Sequence, residues 1–209
     1  MNINKKNNIF FELNNNEKLV IELQDPLDMV FPCDDIWIKY LGKNSLTLSY
    51  DCLFYSLNQF TGMLLSATNN SLPLHPSINK DIGYLWNQEL HGEPELLQEE
   101  HQGQLFWVGE RYNLWSTPGD IRPKVTTWLY NDKNGDIIFE ITPNYFWHFD
   151  EPTPDEDYIT YEEFMKNYEP YVIRTIPHEV AQTWLEQASK LLEQVENNSK
   201  KHSPTAHLE

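Results

Sequence analysis

The chain has 209 residues, enough for one domain with a sizeable core, and 40% of them are hydrophobic and 13% aromatic, which excludes an intrinsically disordered protein. Fifteen Lys and Arg against 32 Asp and Glu give a net charge of −17. This charge disfavours binding to nucleic acid or to an anionic membrane and favours a basic protein partner, unless it serves solubility alone.

The first fifty residues predict two β-hairpins. Residues 9–13 and 18–23 flank the polar turn "NNNE", and residues 35–42 and 45–50 flank "GKN". Apolar residues alternate with polar ones along these runs, which indicates one buried face. From residue 51 the period becomes helical, because apolar residues recur every three or four positions. The stripe comprises Leu53, Leu57, Phe60, Leu64 and Ala67.

The middle of the chain gives a weaker pattern. Residues 83–90, "GYLWNQEL", fit either a strand or a short helical turn. The acidic stretch after them is broken by Gly and Pro, which favours an exposed loop or short helix. Residues 104–117 are strand-like. Residues 125–130 and 136–142 then form the clearest hairpin, because Asn134-Gly135 suits a tight turn and Pro143 stops the second strand.

Two helices close the chain. Thr160 stands three residues before Glu163, the spacing of a capping box, and Pro177 suits the first turn of a final helix. The order of elements predicts an α+β fold with a mostly antiparallel sheet, one amphipathic helix after the first strands and two C-terminal helices packed on it. Residues 1–198 are predicted to form a single domain, and residues 199–209 a mobile polar tail.

An acidic run spans residues 148–164 and contains no Lys or Arg. Its prolines predict exposure, and Glu162 and Glu163 are explained by the positive end of a helix dipole. The remaining carboxylates, with two aromatic residues of the preceding "NYFWHF" cluster, are predicted to contact a basic partner. This predicted surface comprises Tyr145, Trp147, Asp150, Glu151, Asp155, Glu156 and Asp157. A secondary acidic patch comprises Glu93, Glu95, Glu99 and Glu100.

No catalytic residue, metal or cofactor is predicted. The chain has no phosphate loop, dinucleotide fingerprint, GxSxG elbow or HExxH motif. Acid–base carboxylates need burial to raise one pKa, and the acidic run favours exposure. Cys52 and His148 fit core packing better than catalysis. His91 and His101 with the glutamates around them could hold zinc or manganese, but their spacing fixes no helical pairing.

The N-terminal residues lack the apolar core of a secretory signal, and no stretch approaches the roughly 18 apolar residues of a membrane span. Cys33 and Cys52 form no paired motif. A cytoplasmic location with no membrane contact is therefore expected.

The segment "KVTTWLYNDKNGDIIFEITPNYFWHF…YEEFMKNYEPYVIRTIPHEVAQTWLEQ" resembles the C-terminal half of small bacterial immunity proteins. These proteins neutralise the toxin domains of contact-dependent growth inhibition and related polymorphic toxin systems, and they share the order of opening strands and amphipathic helix. The resemblance implies a non-catalytic cytoplasmic inhibitor that binds one cognate toxin C-terminal domain, often a nuclease with a basic cleft. It transfers no site residue. A metal-dependent hydrolase and an adaptor of another complex are the alternatives.

Overall fold

A computed structural model describes residues 8–92, 98–101, 103–148, 152–153 and 157–202. These residues form an α+β fold, as predicted. In chain order the elements are β1 (Asn8–Asn14), β2 (Glu17–Glu22), β3 (Asp35–Leu41), β4 (Ser45–Cys52), α1 (Leu53–Thr68), α2 (Ile82–Leu90), β5 (Gln98–His101), β6 (Gln104–Trp107), β7 (Asn113–Ser116), β8 (Val125–Asn131), β9 (Ile137–Pro143), α3 (Tyr161–Lys166), β10 (Val172–Ile176) and α4 (His178–His202).

The strands form two antiparallel four-stranded sheets rather than one. The first sheet has the order β1-β2-β3-β4 and confirms both opening hairpins. The second has the order β10-β9-β8-β7 and contains the central hairpin. Strands β5 and β6 form a separate two-stranded hairpin. Strand β10 was not predicted, and the strand expected over residues 104–117 is interrupted by a short 3-10 turn at Glu110–Tyr112.

The main core lies where both sheets meet α1 and α4. The predicted stripe of α1 is buried, and Trp184 of α4 packs edge-on against Phe11 and Phe139, one from each sheet. Helix α4 also covers the free edge of β1, where Trp184 Nε1 donates a hydrogen bond to the carbonyl of Glu12. A covered edge cannot pair with a strand of another molecule. Helix α4 continues to His202, so residues 199–202 of the predicted mobile tail are helical.

The other face of the second sheet supports the elements that carry the candidate site. Successive residues of a strand point to opposite faces, so Trp128 of β8 and Glu140 of β9 face away from the main core. Helix α2 and the β5–β6 hairpin cover them, with Trp86, Trp107 and Trp128 in mutual ring contact. None of the helices within the described ranges is long and apolar enough to cross a membrane.

Candidate functional site

The structure describes part of the predicted surface. Asp150, Glu151, Asp155 and Glu156 lie outside the described residues, as do Glu93 and Glu95 of the secondary patch. Asp157, Glu99 and Glu100 are exposed, and Trp147 is half-buried. Tyr145 is buried.

The buried side chain of Tyr145 packs against the acidic segment and is not exposed to a partner. Its hydroxyl donates to the carbonyl of Ile159 at 3.0 Å, and its ring contacts Tyr161 and Phe164 of α3. A side chain packed in this way cannot add much contact area to an interface. Tyr158, in contrast, is exposed, and its ring meets Trp147 edge-on at 5.3 Å.

Around Tyr158 the chain presents apolar and charged side chains together. We call this the acidic-aromatic surface, and it comprises Asp157, Tyr158, Ile159, Glu162 and Glu163, all of which are exposed. The capping interaction of α3 is confirmed, because Thr160 Oγ1 accepts a hydrogen bond from the backbone N–H of Glu163 at 3.2 Å. The backbone N–H of Glu162 and the Thr160 hydroxyl lower the pKa of the Glu162 carboxyl, so this side chain is charged at neutral pH.

Asn87 of α2 connects the structural elements that lie beneath the acidic-aromatic surface. Its buried side chain donates to the carbonyls of Gly83 at 2.8 Å and Pro143 at 2.9 Å, and accepts from the backbone N–H of Tyr145 at 2.7 Å. His148 Nε2 lies 3.3 Å from the same oxygen of Asn87. Burial is the main cause that lowers the pKa of His148 to about 4, so its ring is neutral at physiological pH. A single amide therefore connects helix α2, strand β9 and the turn that follows it.

His91, just after α2, stacks on Tyr161 with ring centroids 3.6 Å apart and planes inclined by 14°. This contact ties the end of α2 to the first residue of α3. The acidic-aromatic surface is thus held on a preformed support, and a rigid binding surface loses little conformational entropy on association.

A buried polar network lies deeper, between α2 and the second sheet. Glu140 is 1% exposed, and its Oε2 accepts a hydrogen bond from the Tyr130 hydroxyl at 2.8 Å. Asp81 caps α2 by accepting from the backbone N–H of Tyr84 at 2.9 Å, and it also accepts from the Tyr168 hydroxyl. Burial, reinforced by the charge of Asp81, raises the pKa of Glu140 to about 9. Glu140 is therefore a neutral acid at physiological pH.

This network contains two carboxyl groups, Glu140 buried and Asp81 half-buried, and its hydrogen bonds link structural elements to one another. Asp81 joins α2 to Tyr168, which follows α3, and Glu140 joins β9 to β8. An open groove of about 810 Å³ lies nearby, between residues 70–78 and the β8–β9 turn. Tyr130, Ile138 and Ile173 line it, and none of the predicted site residues does.

The secondary patch is represented by Glu99 and Glu100 of β5, and Glu99 forms an ion pair with Arg111. In the part of the chain that the structure describes, no three His, Cys, Asp or Glu side chains are grouped so that they could hold a metal ion. Comparison of the chain with protein-family models, with curated proteins and with solved structures finds no match.

Proposed function

We propose that this chain is a non-catalytic immunity protein that binds and neutralises a cognate bacterial toxin domain in the cytoplasm. The observation that carries the proposal is the acidic-aromatic surface, where exposed Tyr158 and Ile159 stand among carboxylates on a chain of net charge −17. The sequence resemblance to immunity proteins of polymorphic toxin systems supports the same conclusion. The partner is a basic toxin domain, and a nuclease is the favoured kind.

The two kinds of side chain on this surface serve different steps of binding. Aromatic residues give large contact areas at low conformational cost, and they are enriched among the residues that dominate interface energies. Carboxylates at the rim attract a basic partner over a distance and speed the encounter. A nuclease binds its substrate through a basic cleft, so an acidic inhibitor that covers this cleft blocks the substrate.

Growth protection tests the proposal. The toxin domain encoded by the neighbouring gene is expressed in cells with and without this chain, and colony survival is counted. We expect survival with the chain and killing without it, together with co-purification of the two proteins. Killing that is unaffected by the chain would contradict the proposal.

Charge removal on the acidic-aromatic surface is expected to slow association. In the triple variant Asp157→Asn, Glu162→Gln and Glu163→Gln, the association rate constant for the toxin domain should fall about tenfold at low salt. Stopped-flow fluorescence measures this rate. The thermal midpoint should be recorded alongside as a check that the variant is folded. The substitutions leave the Thr160 cap in place.

A matched control separates local from general charge effects. The exposed residues Glu186, Glu193 and Glu196 of α4 are changed to Gln, which alters the net charge by the same amount. With both triple variants also compared at about 0.1 M salt, the α4 variant should slow association by no more than about twofold, because exposed charges beyond a Debye length, about 10 Å at that salt, are largely screened. Equal slowing by both triple variants would remove this surface from the interface.

A further inference from the structure

The β5–β6 hairpin presents exposed apolar side chains on a firmly anchored base. Trp107 of β6 is buried, stacking on Trp86 at 5.9 Å and meeting Trp128 edge-on. Two residues before it, Leu105 is 65% exposed, and Phe106 between them is 37% exposed. The end of β6 is thus held by the contacts among Trp86, Trp107 and Trp128, while Leu105 and Phe106 face solvent. Exposed apolar side chains on a rigid element commonly mark an interaction site.

A cleft of about 440 Å³ opens beside these residues. Its apolar wall is Phe106, Trp107 and Val108, and its polar lining comprises Glu99, Glu100, Glu110 and Arg111. Arg111 is the one cation among these lining residues, and it is paired with Glu99. Partial burial, with a smaller effect of the charge of Glu89, raises the pKa of the Glu110 carboxyl. The carboxylates here exceed the available positive charge, so an incoming cation would be stabilised.

The end of α2 links the β5–β6 hairpin to the start of α3. Gln98 Nε2 of β5 donates to Glu89 Oε1 at 3.3 Å, and His91, two residues further along, stacks on Tyr161 at the start of α3. The same short stretch of chain therefore contacts the hairpin on one side and α3 on the other.

We propose that the β5–β6 hairpin is the second half of the docking surface for the basic toxin domain. The toxin contacts Leu105 on one face of the hairpin and Phe106 on the other, and it places one of its arginine or lysine side chains in the cleft. This inference rests on the proposed function and names the interface that serves it. Carboxylates supply charge-assisted hydrogen bonds to a guanidinium or ammonium group, and aromatic walls attract the same cation and pack on its aliphatic stem.

Truncation of the two exposed hairpin residues tests this inference. In Leu105→Ala/Phe106→Ala, the Kd for the toxin domain encoded by the neighbouring gene should rise at least about tenfold, mainly through faster dissociation. Trp107 is unchanged, so the thermal midpoint should stay close to that of the wild type. Surface plasmon resonance gives both rate constants.

Helix α1 offers a matched control. Tyr55 is 69% exposed and Leu65 is 52% exposed, and both lie outside the hairpin and the cleft. The variant Tyr55→Ala/Leu65→Ala removes a comparable amount of exposed apolar surface, so its Kd should stay within about twofold of the wild type.

The outcomes separate the two proposals. Wild-type binding with an unchanged Kd in the hairpin variant would overturn the hairpin inference and leave the proposed function standing. An equal loss of affinity in the hairpin and α1 variants would also overturn the hairpin inference, because the effect would not depend on where the apolar side chains were removed. Absence of binding by the wild-type protein would overturn the proposed function and this inference with it.

Discussion

Glu140→Gln is expected to raise the free energy of unfolding by about 3–4 kcal/mol at pH 7. In the folded protein the pKa of Glu140 is about 9, whereas its ordinary value is 4.5. Keeping this buried group protonated near neutral pH costs about 1.4 kcal/mol for each unit between the ordinary pKa and the solution pH. Glutamine has a similar shape, can accept from Tyr130, and needs no proton from solution.

The pH dependence of stability tests whether protonation of Glu140 causes the stability change predicted for Glu140→Gln. Between pH 4.5 and about 9 the folded protein binds one more proton at Glu140 than the unfolded chain does. The contribution of Glu140 to stability is therefore fully present below pH 4.5 and is lost as the pH rises to about 9. His148, whose pKa is lowered from 6.5 to about 4, has the opposite effect on stability up to about pH 6.5. Denaturant titrations between about pH 6.5 and about pH 9 should therefore show a falling stability for the wild type and a flatter curve for Glu140→Gln.

Exposed Glu193 provides the control, because Glu193→Gln makes the same chemical change on the surface of α4. Its pH dependence should match that of the wild type. If Glu140→Gln also kept the wild-type slope, Glu140 would not be the protonated group that we describe.

Asn87→Ala is expected to destabilise the protein by about 3 kcal/mol or more. The substitution leaves the carbonyl of Pro143 and the N–H of Tyr145 without the partner that Asn87 supplies, and each buried unpaired group costs about 1–3 kcal/mol. Since Tyr145 in turn holds Ile159, binding of the toxin domain should weaken as well.

Urea unfolding measures the loss, with Asn197→Ala as the control. Asn197 is exposed on α4, so its removal should change the free energy of unfolding by no more than about 0.5 kcal/mol. A loss below about 1 kcal/mol in Asn87→Ala would mean that the amide does not anchor the turn after β9.

Periodicity predicted the elements that have one continuous buried face. The four strands of the first sheet, helix α1 and the central hairpin were found in this way. Strand β10 was missed because only its end residues, Val172 and Ile176, are buried, and because it pairs with β9 about thirty residues earlier in the chain. The sequence left residues 83–90 open between a strand and a helical turn, because the adjacent apolar residues Leu85 and Trp86 fit both the strand period and the helix period.

The candidate site could be predicted only in part. Local composition identified exposed carboxylates, and Asp157, Glu99 and Glu100 are indeed exposed. It could not show that Tyr145 is buried, since residues in a short irregular turn follow no period. The burial of Glu140 could have been predicted from the sequence, because a lone carboxylate within the apolar run "IIFEITP" indicates a buried acid. The contact between α2 and α3 through His91 depends on tertiary folding and leaves no local pattern.

Isothermal titration calorimetry of the purified chain with the toxin domain encoded by the neighbouring gene tests the central claim most directly, with the toxin's activity assayed on the same samples. We expect saturable one-to-one binding and loss of toxin activity at equivalence. Affinity should fall as salt rises from about 0.01 M to about 1 M, because the Debye length shortens from about 30 Å to about 3 Å. Full toxin activity in the presence of excess chain, with no heat of binding, would contradict the assignment as an immunity protein.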